Sequence, residues 1–402
     1  MNIGIYAEGF ISWGGGIDFI RNILQALTIH NDETASYTIF LLIKTNPIPN
    51  IKCCRAGYWV RKILRKTKIS THNYNTHIPH VIDAIKNIKG TFHTIFYHEH
   101  ELEYIIKTYN IQIILPVLPS CYKSYIRIPQ IGYIYDFQHE YLPHFFSVQE
   151  INQRKENFHE ILSQCKTVIV NAQAVANDIK KFYPDCTTKI ITLPFGATTP
   201  INLDVIDTKI IQEKYHLPSH FFLISNQFWQ HKAHLIAFKA LHLLNHKNIH
   251  IVCTGNINDY RNKDYFASLE KAIFEMNISS QIHFLGHIPK WDQIGIMKKA
   301  IAIIQPTLFE GGPGGGCTFD AVSIGTPAIL SDIEVNLEIK HIENIFFFKT
   351  NNEKSLADTM SKIIHTPPTH LDQETIKINN TMRTLTCAHI LNSIIQKEIT
   401  HE

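Results

Sequence analysis

The chain is poor in glycine, carries little net charge and has no long apolar run. Its 402 residues include only 18 glycines, and a formal net charge of +3 is too small to indicate nucleic-acid binding on its own. No segment approaches the roughly 20 apolar residues that a membrane-spanning helix needs. The N-terminal stretch "MNIGIYAEGF" lacks the basic and apolar regions of a signal peptide, so none is predicted.

The cysteines show no spacing that is typical of a metal or redox motif. Cys53 and Cys54 are adjacent, and the other six are scattered along the chain without CxxC pairs. Several lie in or beside strand-like runs, where a cysteine behaves as a small buried hydrophobe. We therefore expect reduced thiols, a cytoplasmic location and no metal site.

Short apolar runs alternate with segments of helical length along the whole chain, a pattern that predicts parallel α/β layers. The near-continuous hydrophobicity of the runs suits strands that are covered on both faces. Twelve strands are predicted, at 2–7, 37–43, 111–117, 130–135, 167–171, 189–193, 221–225, 249–254, 281–285, 300–306, 326–331 and 344–348.

These strands divide into two Rossmann-like units with a cleft between them, where ligands usually bind. The predicted organisation is an N-terminal Rossmann-like domain at 1–195, a linker at 196–214, a C-terminal Rossmann-like domain at 215–370 and a helical segment at 371–402.

The stretch "TLFEGGPGGGCTFDAVSIGTPAIL" at 307–330 concentrates five glycines within 311–316. It follows a predicted strand and precedes a helical pattern that begins near Cys317. Glycine permits backbone angles and close approaches that side chains forbid, and a helix start offers free amides and a positive dipole end. The pattern predicts a phosphate or diphosphate site; a packing turn is the alternative.

Two acids flank the glycine run, Glu310 directly before it and Asp320 one helical turn into the helix. Carboxylates are poorly placed to bind phosphate but accept hydrogen bonds from sugar hydroxyls. The absence of G-x(4)-G-K-[ST] argues against a P-loop NTPase. A nicotinamide dehydrogenase is also disfavoured, because "EGFISWGGGIDF" after the first strand does not have the required glycine spacing.

The segment "PTLFEGGPGGGCTFDAVSIGTPAILSDI" resembles the C-terminal signature of the retaining glycosyltransferases of family 4, group 1. Similar segments occur in the family's order: "WGGGIDFIRNIL" (13–24), "GYIYDFQHEYLPHFFS" (132–147), "FFLISNQFWQHKAHLIAFKAL" (221–241) and "QIHFLGHIPKWDQIGIMKKA" (281–300). The resemblance implies an α/β GT-B fold, with two doubly wound domains facing a cleft and a C-terminal helix crossing back to the N-terminal domain. It implies a nucleoside-diphosphate sugar as substrate and no cofactor.

The resemblance also implies roles for individual residues. Glu310 would contact the transferred sugar or steady the loop around it, and Asp320 would bind the ribose hydroxyls. Lys232 would neutralise the leaving phosphates. The backbone amides of Gly314, Gly315 and Gly316 would face the diphosphate.

The sequence departs from the family pattern at two points. The acids are ten residues apart instead of eight, and the second is Asp. Asn226 and Gln227 stand where many relatives carry Arg; Asn226 is assigned to the donor site, and His231 or Lys290 could supply the missing charge. No DxD motif is placed to hold a metal, which predicts a metal-independent reaction that relies on basic side chains and helix amides.

On the N-terminal side, Gly14, Gly15 and Gly16 would let the backbone approach the donor phosphates or the acceptor, with a packing turn as the alternative. Asp18 is predicted to stabilise the helix start. Asp136, after a strand, could orient the acceptor hydroxyl or stabilise a cationic sugar, or it could simply cap the next helix. His139 could also orient the acceptor.

The segment "IKCCRAGYWVRKILRKTK" at 51–68 is rich in Lys and Arg, has no acid and interleaves aromatic and aliphatic residues. Such a helix could lie on an anionic membrane surface and bring the protein to a lipid-linked acceptor. A solvated helix that packs its apolar stripe on the sheet is the alternative.

The leading hypothesis is a retaining glycosyltransferase that moves a sugar to a glycan or lipid-linked acceptor, in surface polysaccharide synthesis. The protein would be cytoplasmic or peripheral at the inner face of the membrane, with no nucleic-acid partner. Two alternatives stay open: an epimerase or hydrolase on the same scaffold, and a non-catalytic partner that binds nucleotide-sugar and regulates another transferase.

Overall fold

The structure, a computed structural model, describes residues 1–31, 37–45, 88, 91–195, 207–368 and 371–400. The basic segment 51–68 and most of the predicted linker lie outside these residues. Within them the chain forms two parallel sheets, of seven and six strands, and the predicted α/β class with two doubly wound units is confirmed.

The first sheet lies in the N-terminal half and has the order β3-β2-β1-β4-β5-β6-β7. Its strands are apolar through most of their length because helices cover both faces. The strands are β1 (Asn2–Tyr6), β2 (Thr38–Lys44), β3 (His93–Tyr97), β4 (Ile113–Val117), β5 (Gln130–Ile134), β6 (Thr167–Val170) and β7 (Lys189–Thr192). The edge strand β3, which is mostly half-buried, is the one strand of the described chain that the sequence analysis missed.

The second sheet lies in the C-terminal half and has the order β10-β9-β8-β11-β12-β13. All six of its strands were predicted, to within a few residues at either end. They are β8 (Phe221–Ser225), β9 (His250–Thr254), β10 (Ile282–Phe284), β11 (Ile303–Gln305), β12 (Ala328–Ser331) and β13 (Ile345–Phe348).

Helices connect the strands, and several begin at recognisable caps. Ser147 and Glu150 form a reciprocal capping box at the start of α4. The helices of the described residues are α1 (Gly14–Asn31), α2 (Leu102–Thr108), α3 (Gln138–Tyr141), α4 (Val148–Gln164), α5 (Gln173–Phe182), α6 (Thr208–Lys214), α7 (His234–Leu244), α8 (Tyr265–Glu275), α9 (Lys290–Lys299), α10 (Gly315–Ser323), α11 (Glu334–Leu337), α12 (Glu353–His365) and α13 (Gln373–Thr400).

The long helix α13 touches both halves of the molecule. Near its start, the Asn380 side chain donates to the Ser323 carbonyl at the end of α10, at 2.8 Å. Further along, Leu391 and Ile395 are buried in the core of the first sheet, and Asn392 accepts a hydrogen bond from Tyr37.

Polar contacts also join the halves directly. The amides of Gln173 and Ala174, at the start of α5, donate to the carboxylate of Glu338 at 2.9 and 2.7 Å. Helix starts favour carboxylates because their first amides have no acceptor within the helix. The N-terminal helix α5 is therefore capped by an acid from the C-terminal half, and the carboxyl ends of both sheets meet.

Candidate functional site

The glycine run follows β11 and leads directly into α10, which begins at Gly315, two residues before the predicted start near Cys317. Gly314 and Gly315 adopt φ angles of +62° and +65°, which side chains disfavour. A Cβ on Gly311 would lie 2.1 Å from the carbonyl oxygen of Tyr135. Glycine at 311 therefore lets the loop touch the end of β5 in the other half.

The three predicted phosphate-facing amides are not equivalent. The Gly314 amide donates to the side chain of Asn336 at 2.6 Å, and the Gly315 amide donates to the Gly312 carbonyl at 3.1 Å. Both are therefore already used inside the protein. Gly316 belongs to the first turn of α10, whose amides have no acceptor within the helix.

Glu310 and Lys232 form an ion pair beside this helix start. Their Oε1 and Nζ atoms are 2.5 Å apart, and the side chains are only 10% and 14% exposed. A Cβ on Gly315 would lie 3.4 Å from the Glu310 carboxylate, so the acid is placed against the start of α10. The structure thus brings together the residues predicted to handle the transferred sugar and the leaving phosphates.

Asp320 lies deeper and has a different partner. Its side chain is fully buried on α10, and it accepts a hydrogen bond from Lys290, the first residue of α9. The same ammonium donates to Asp18 of α1 at 2.9 Å. Lys290 thus links Asp320 of α10 to Asp18 of the N-terminal half. The predicted contact of Asp320 with ribose stays a prediction.

Asp18 was predicted to stabilise the start of α1; the structure instead pairs it with Lys290 and, at 3.6 Å, with Arg21. Burial by itself would raise the pKa of Asp18, but the charges of Lys290 and Arg21 outweigh burial and hold it below its usual range. Burial by itself would lower the pKa of Lys290, but the carboxylates of Asp18 and Asp320 raise it above its usual range.

The cation missing at 226 is not replaced by His231. Asn226 follows β8 and donates to Gln305 at 2.6 Å, which ties the ends of two strands together. Burial, with Lys232 and Arg261 nearby, lowers the pKa of His231 to about 2, so the ring is neutral at physiological pH. The suggestion that His231 supplies charge is wrong, and the charge of Lys290 is shared by two acids.

Arg261 is a site-adjacent residue that the sequence analysis missed. Its guanidinium lies over the Trp229 ring at 4.7 Å and contacts His231 Nδ1 at 3.3 Å. It also donates to Gln138 of the N-terminal half at 3.3 Å. Arg261 stands in the polar loop "NINDYRNKD" without motif spacing, so only its three-dimensional neighbours identify it.

On the N-terminal side, Asp136 follows β5 next to the glycine loop. It accepts from Arg154 at 2.5 Å and from the Gln138 amide at 2.9 Å. Asp136 thus accepts from the first amide of α3, although the N-cap residue of that helix is Phe137. Its position beside Gly311 is consistent with the acceptor role, which stays a prediction.

His139 was predicted to orient the acceptor, and the structure contradicts this. The ring is 1% exposed and packs among Phe137, Phe146 and Phe158. Burial lowers the pKa of His139 to about 4. A neutral ring enclosed by aromatic side chains is part of the core and cannot reach an acceptor hydroxyl.

The three glycines at the start of α1 are mainly explained by packing. A Cβ on Gly15 would lie 2.5 Å from the Trp13 ring, and one on Gly16 would lie 2.2 Å from the Phe10 carbonyl oxygen. A Cβ on Gly14 would have no neighbour within 4 Å. The predicted approach to donor or acceptor is therefore structurally open at Gly14 alone among the three.

A comparison with protein families decides how the C-terminal half is classified. Residues 207–380 match the model of the family described as "Glycosyl transferases group 1". We call residues 207–380 the group 1 domain, after the family model that they match. This domain contains β8 to β13 and all four of Lys232, Lys290, Glu310 and Asp320.

Solved structures extend the likeness of the group 1 domain to the whole fold. Sucrose-phosphate synthase from Thermosynechococcus elongatus is similar over 100% of both chains, with a TM-score of 0.66 at 14% identity. A glycosyltransferase from Rickettsia africae has a TM-score of 0.63 at 18% identity, covering 99% of this chain and 98% of its own. Anabaena HepE, solved with UDP and glucose, has a TM-score of 0.61 at 14% identity over 100% of both chains. At these identities the likeness shows the GT-B fold alone.

A curated relative is similar over a shorter stretch. The O-antigen chain mannosyltransferase RfbU of Salmonella typhimurium is 26% identical over 208 residues. This alignment covers 51% of the chain and 53% of the relative, so it spans about half the length of each.

Among the residues that the structure describes, no group of three or more His, Cys, Asp or Glu side chains could hold a metal ion. In the same residues, no helix is long and apolar enough to cross a membrane. The predicted membrane-binding segment 51–68 lies outside them and stays a prediction.

Proposed function

We propose that this protein is a retaining glycosyltransferase that moves a sugar from a nucleoside-diphosphate sugar to a glycan or lipid-linked acceptor. The observation that carries the proposal is the Lys232–Glu310 ion pair at the start of α10, within the group 1 domain. A cation and an acid at a helix start suit a donor that combines a diphosphate with a hydroxyl-rich sugar.

The ion pair suggests how donor binding prepares the site. The diphosphate would compete with Glu310 for the Lys232 ammonium, and the amides of the first turn of α10 would add donors. Glu310, released from Lys232, would then accept hydrogen bonds from the hydroxyls of the transferred sugar. As the bond to phosphate breaks, Lys232 would stabilise the charge that develops on the leaving group.

The N-terminal half would supply the acceptor side. Asp136 lies against the glycine loop, so an acceptor hydroxyl beside it would be near the transferred sugar. The contacts of Lys290 with Asp18 and of Arg261 with Gln138 would hold the halves together around the reactants. Enclosure excludes water, which favours transfer over hydrolysis of the donor.

The acceptor class rests on the relatives. The curated relative is named an O-antigen chain mannosyltransferase, and a structurally similar protein, with a TM-score of 0.55, is named a lipopolysaccharide outer core galactosyltransferase. We infer a role in surface polysaccharide synthesis, at the cytoplasmic face of the membrane, with a mannose- or glucose-type donor.

The test is a transfer assay on the full chain, preceded by a thermal-shift screen of UDP-, GDP-, ADP- and CMP-sugars to identify the donor. Proton NMR of the product gives the anomeric configuration, which we expect to match that of the donor. Activity should persist in EDTA, because Lys232 and the helix amides carry the charge neutralisation. An inverted product would refute the retaining mechanism, and loss of activity in EDTA would refute metal independence.

Two observations favour a second candidate, a non-catalytic partner that binds nucleotide-sugar. Asp320 is buried against Lys290, and the acids are ten residues apart. This candidate predicts thermal stabilisation by the donor without transfer to any acceptor. Release of free sugar or of an epimer in the absence of acceptor would instead indicate a hydrolase or epimerase.

A further inference from the structure

A second group of charged side chains lies in the N-terminal half, away from the glycine loop. Glu8, Lys44, Glu99 and Lys123 alternate in sign, and each lysine contacts both acids; we call them the charge ring. Lys44 is 2.7 Å from Glu8 and also pairs with Glu99, while Lys123 is 2.8 Å from Glu99 and 3.7 Å from Glu8.

The charge ring stands at the carboxyl edge of the first sheet. Glu8 follows β1, Lys44 ends β2, Glu99 follows β3 and Lys123 follows β4. In the strand order, the chain runs outward from β1 through β2 and β3 and then resumes on the other side of β1 with β4. This reversal is the switch point at which open α/β sheets bind ligands, outside the carboxyl ends of the strands.

A buried hydroxyl lies beside the charge ring. Tyr97, the last residue of β3, is 1% exposed, and its hydroxyl lies next to that of Tyr6, which itself donates to Glu8. Burial and the nearby Glu8 and Glu99 raise the pKa of this phenol, although the Tyr6 hydroxyl opposes the shift. A phenol hydroxyl both donates and accepts hydrogen bonds, so the Tyr97 hydroxyl can make a further bond to a bound ligand hydroxyl.

The charges of the ring indicate which ligand fits. The charges of the two ammonium groups and the two carboxylates sum to zero. An anionic ligand would therefore be repelled by Glu8 and Glu99, and a cationic ligand by Lys44 and Lys123. A neutral polyol suits both, because its oxygens accept from ammonium groups and its hydroxyl hydrogens donate to carboxylates. The ring is not sealed, since the Glu99 side chain is 43% exposed and that of Lys44 is 27% exposed.

We propose that the charge ring binds a neutral sugar unit of the acceptor glycan. The proposal rests on the proposed transferase function and adds to it a substrate class. In the first sheet, β1 is separated from β5 by two strand spacings, and Asp136 directly follows β5. Two spacings put the end of β1, where Glu8 lies, roughly 10 Å from Asp136. The sugar in the ring is therefore not the one that receives the transferred unit but another unit of the same acceptor, which makes the acceptor an oligosaccharide.

Saturation-transfer NMR on the full chain tests the proposal. The probes are the methyl glycosides of mannose, glucose and galactose, with glucuronate and glucose 6-phosphate as anionic counterparts. We expect at least one neutral glycoside to bind and the anionic sugars not to. Lys123→Met and Glu8→Gln should each weaken that binding roughly tenfold, because each removes a charge-assisted hydrogen bond.

Controls separate this inference from the proposed function. Lys107→Met breaks an exposed pair with Glu103 outside the ring and should leave glycoside binding unchanged. Thermal stabilisation by the nucleoside diphosphate should be equal in all variants, since the ion pairs of the ring include no residue of α10. If no nucleoside diphosphate raised the thermal midpoint of the unaltered chain, that result would contradict the proposed function and not the charge-ring proposal.

Two results would overturn the charge-ring proposal while leaving the transferase function intact. One is glycoside binding that is absent or is unaffected by both ring variants, which would make the ring a structural ion-pair network. The other is anionic sugar binding as tight as that of the neutral glycosides. If Lys123→Met does not fold, the milder Glu8→Gln decides.

Discussion

The two acids that flank the glycine loop occupy unlike surroundings. Glu310 lies at the start of α10, pairs with Lys232 of its own half, and keeps a tenth of its side chain exposed. Asp320, ten residues further on, is fully buried and bonds to Lys290, which also contacts Asp18 of the other half.

The difference in burial predicts different roles for the two acids. An ion pair at the rim can exchange partners with a ligand, because only part of its hydration has been lost. A buried pair cannot do so without a large cost, since a carboxylate left alone in the interior is strongly destabilised. Glu310 is therefore expected to control turnover, and Asp320 to control stability and the position of Lys290. The predictions below test that division.

The largest effect is expected for Glu310→Gln. The amide keeps the shape of the side chain but loses the charge that would face the transferred sugar, so kcat should fall on the order of 10³-fold. Steady-state kinetics measure this, with circular dichroism confirming the fold. Glu334→Gln, an exposed acid of the same half, is the control and should have full activity. Full activity in the Glu310 variant would refute its role.

Asp320→Asn should act mainly on stability. It leaves Lys290 with one carboxylate instead of two and should cost about 3 kcal/mol of unfolding free energy, as for other broken buried pairs. Urea denaturation monitored by tryptophan fluorescence gives the value. Asp292→Asn, which removes a partner of the exposed Lys214, should cost less than about 1 kcal/mol. Equal losses in the two variants would contradict the contrast.

Lys232→Met should weaken donor binding while sparing the fold. Loss of one charge-assisted contact to phosphate corresponds to a roughly 10- to 100-fold higher Kd for the nucleoside diphosphate. Isothermal titration calorimetry measures the Kd. Lys239→Met, a change to an exposed lysine whose partner Glu353 is 3.8 Å away, should leave it unchanged. If the Lys232 variant bound the diphosphate as tightly as the unaltered chain, the phosphate site would have to lie elsewhere.

The smallest effect is a pH dependence next to Lys232. Burial, aided by Lys232, lowers the pKa of His234 from 6.5 to about 3. Protonation therefore favours the unfolded chain, and the stability this neutral ring provides is present above pH 6.5 and is lost as pH falls toward 3. Between pH 7 and pH 5 the loss is about 2 kcal/mol.

His234→Phe should remove this loss, since the ring stacks on Phe228 at 4.2 Å and neither nitrogen has a hydrogen-bond partner among the described residues. The thermal midpoint measured at both pH values should then vary less with pH than in the unaltered chain. His242→Phe, on the exposed side of the same helix, is the control. An unchanged pH slope in the His234 variant would show that the ring is not held neutral.

Much of the fold follows from local sequence. The strands of the second sheet are short, mostly apolar runs between helical segments, and their identity does not depend on distant residues. β3 was missed because its sequence "HTIFY" is short and mostly half-buried at the edge of the sheet, so its hydrophobic signal is weak. The glycine loop was found because backbone geometry limits such a position to glycine.

The contacts of the site residues could not be predicted from the sequence in the same way. The bond from Lys290 to Asp18 joins residues 272 positions apart, and Arg261 reaches Gln138 only when the halves meet. His139 stands in a segment where a functional histidine is plausible, but the three phenylalanines that enclose it are spread from 137 to 158. Proximity in space, which sequence spacing does not encode, decides these cases.

The capping of α5 by Glu338 gives the molecule an internal reporter. Two backbone amides of one half depend on a carboxylate of the other, so any parting of the halves exposes both amides to solvent at the same moment. Hydrogen–deuterium exchange at Gln173 and Ala174 therefore follows how often the cleft opens, and a bound substrate that keeps it shut should slow both positions together.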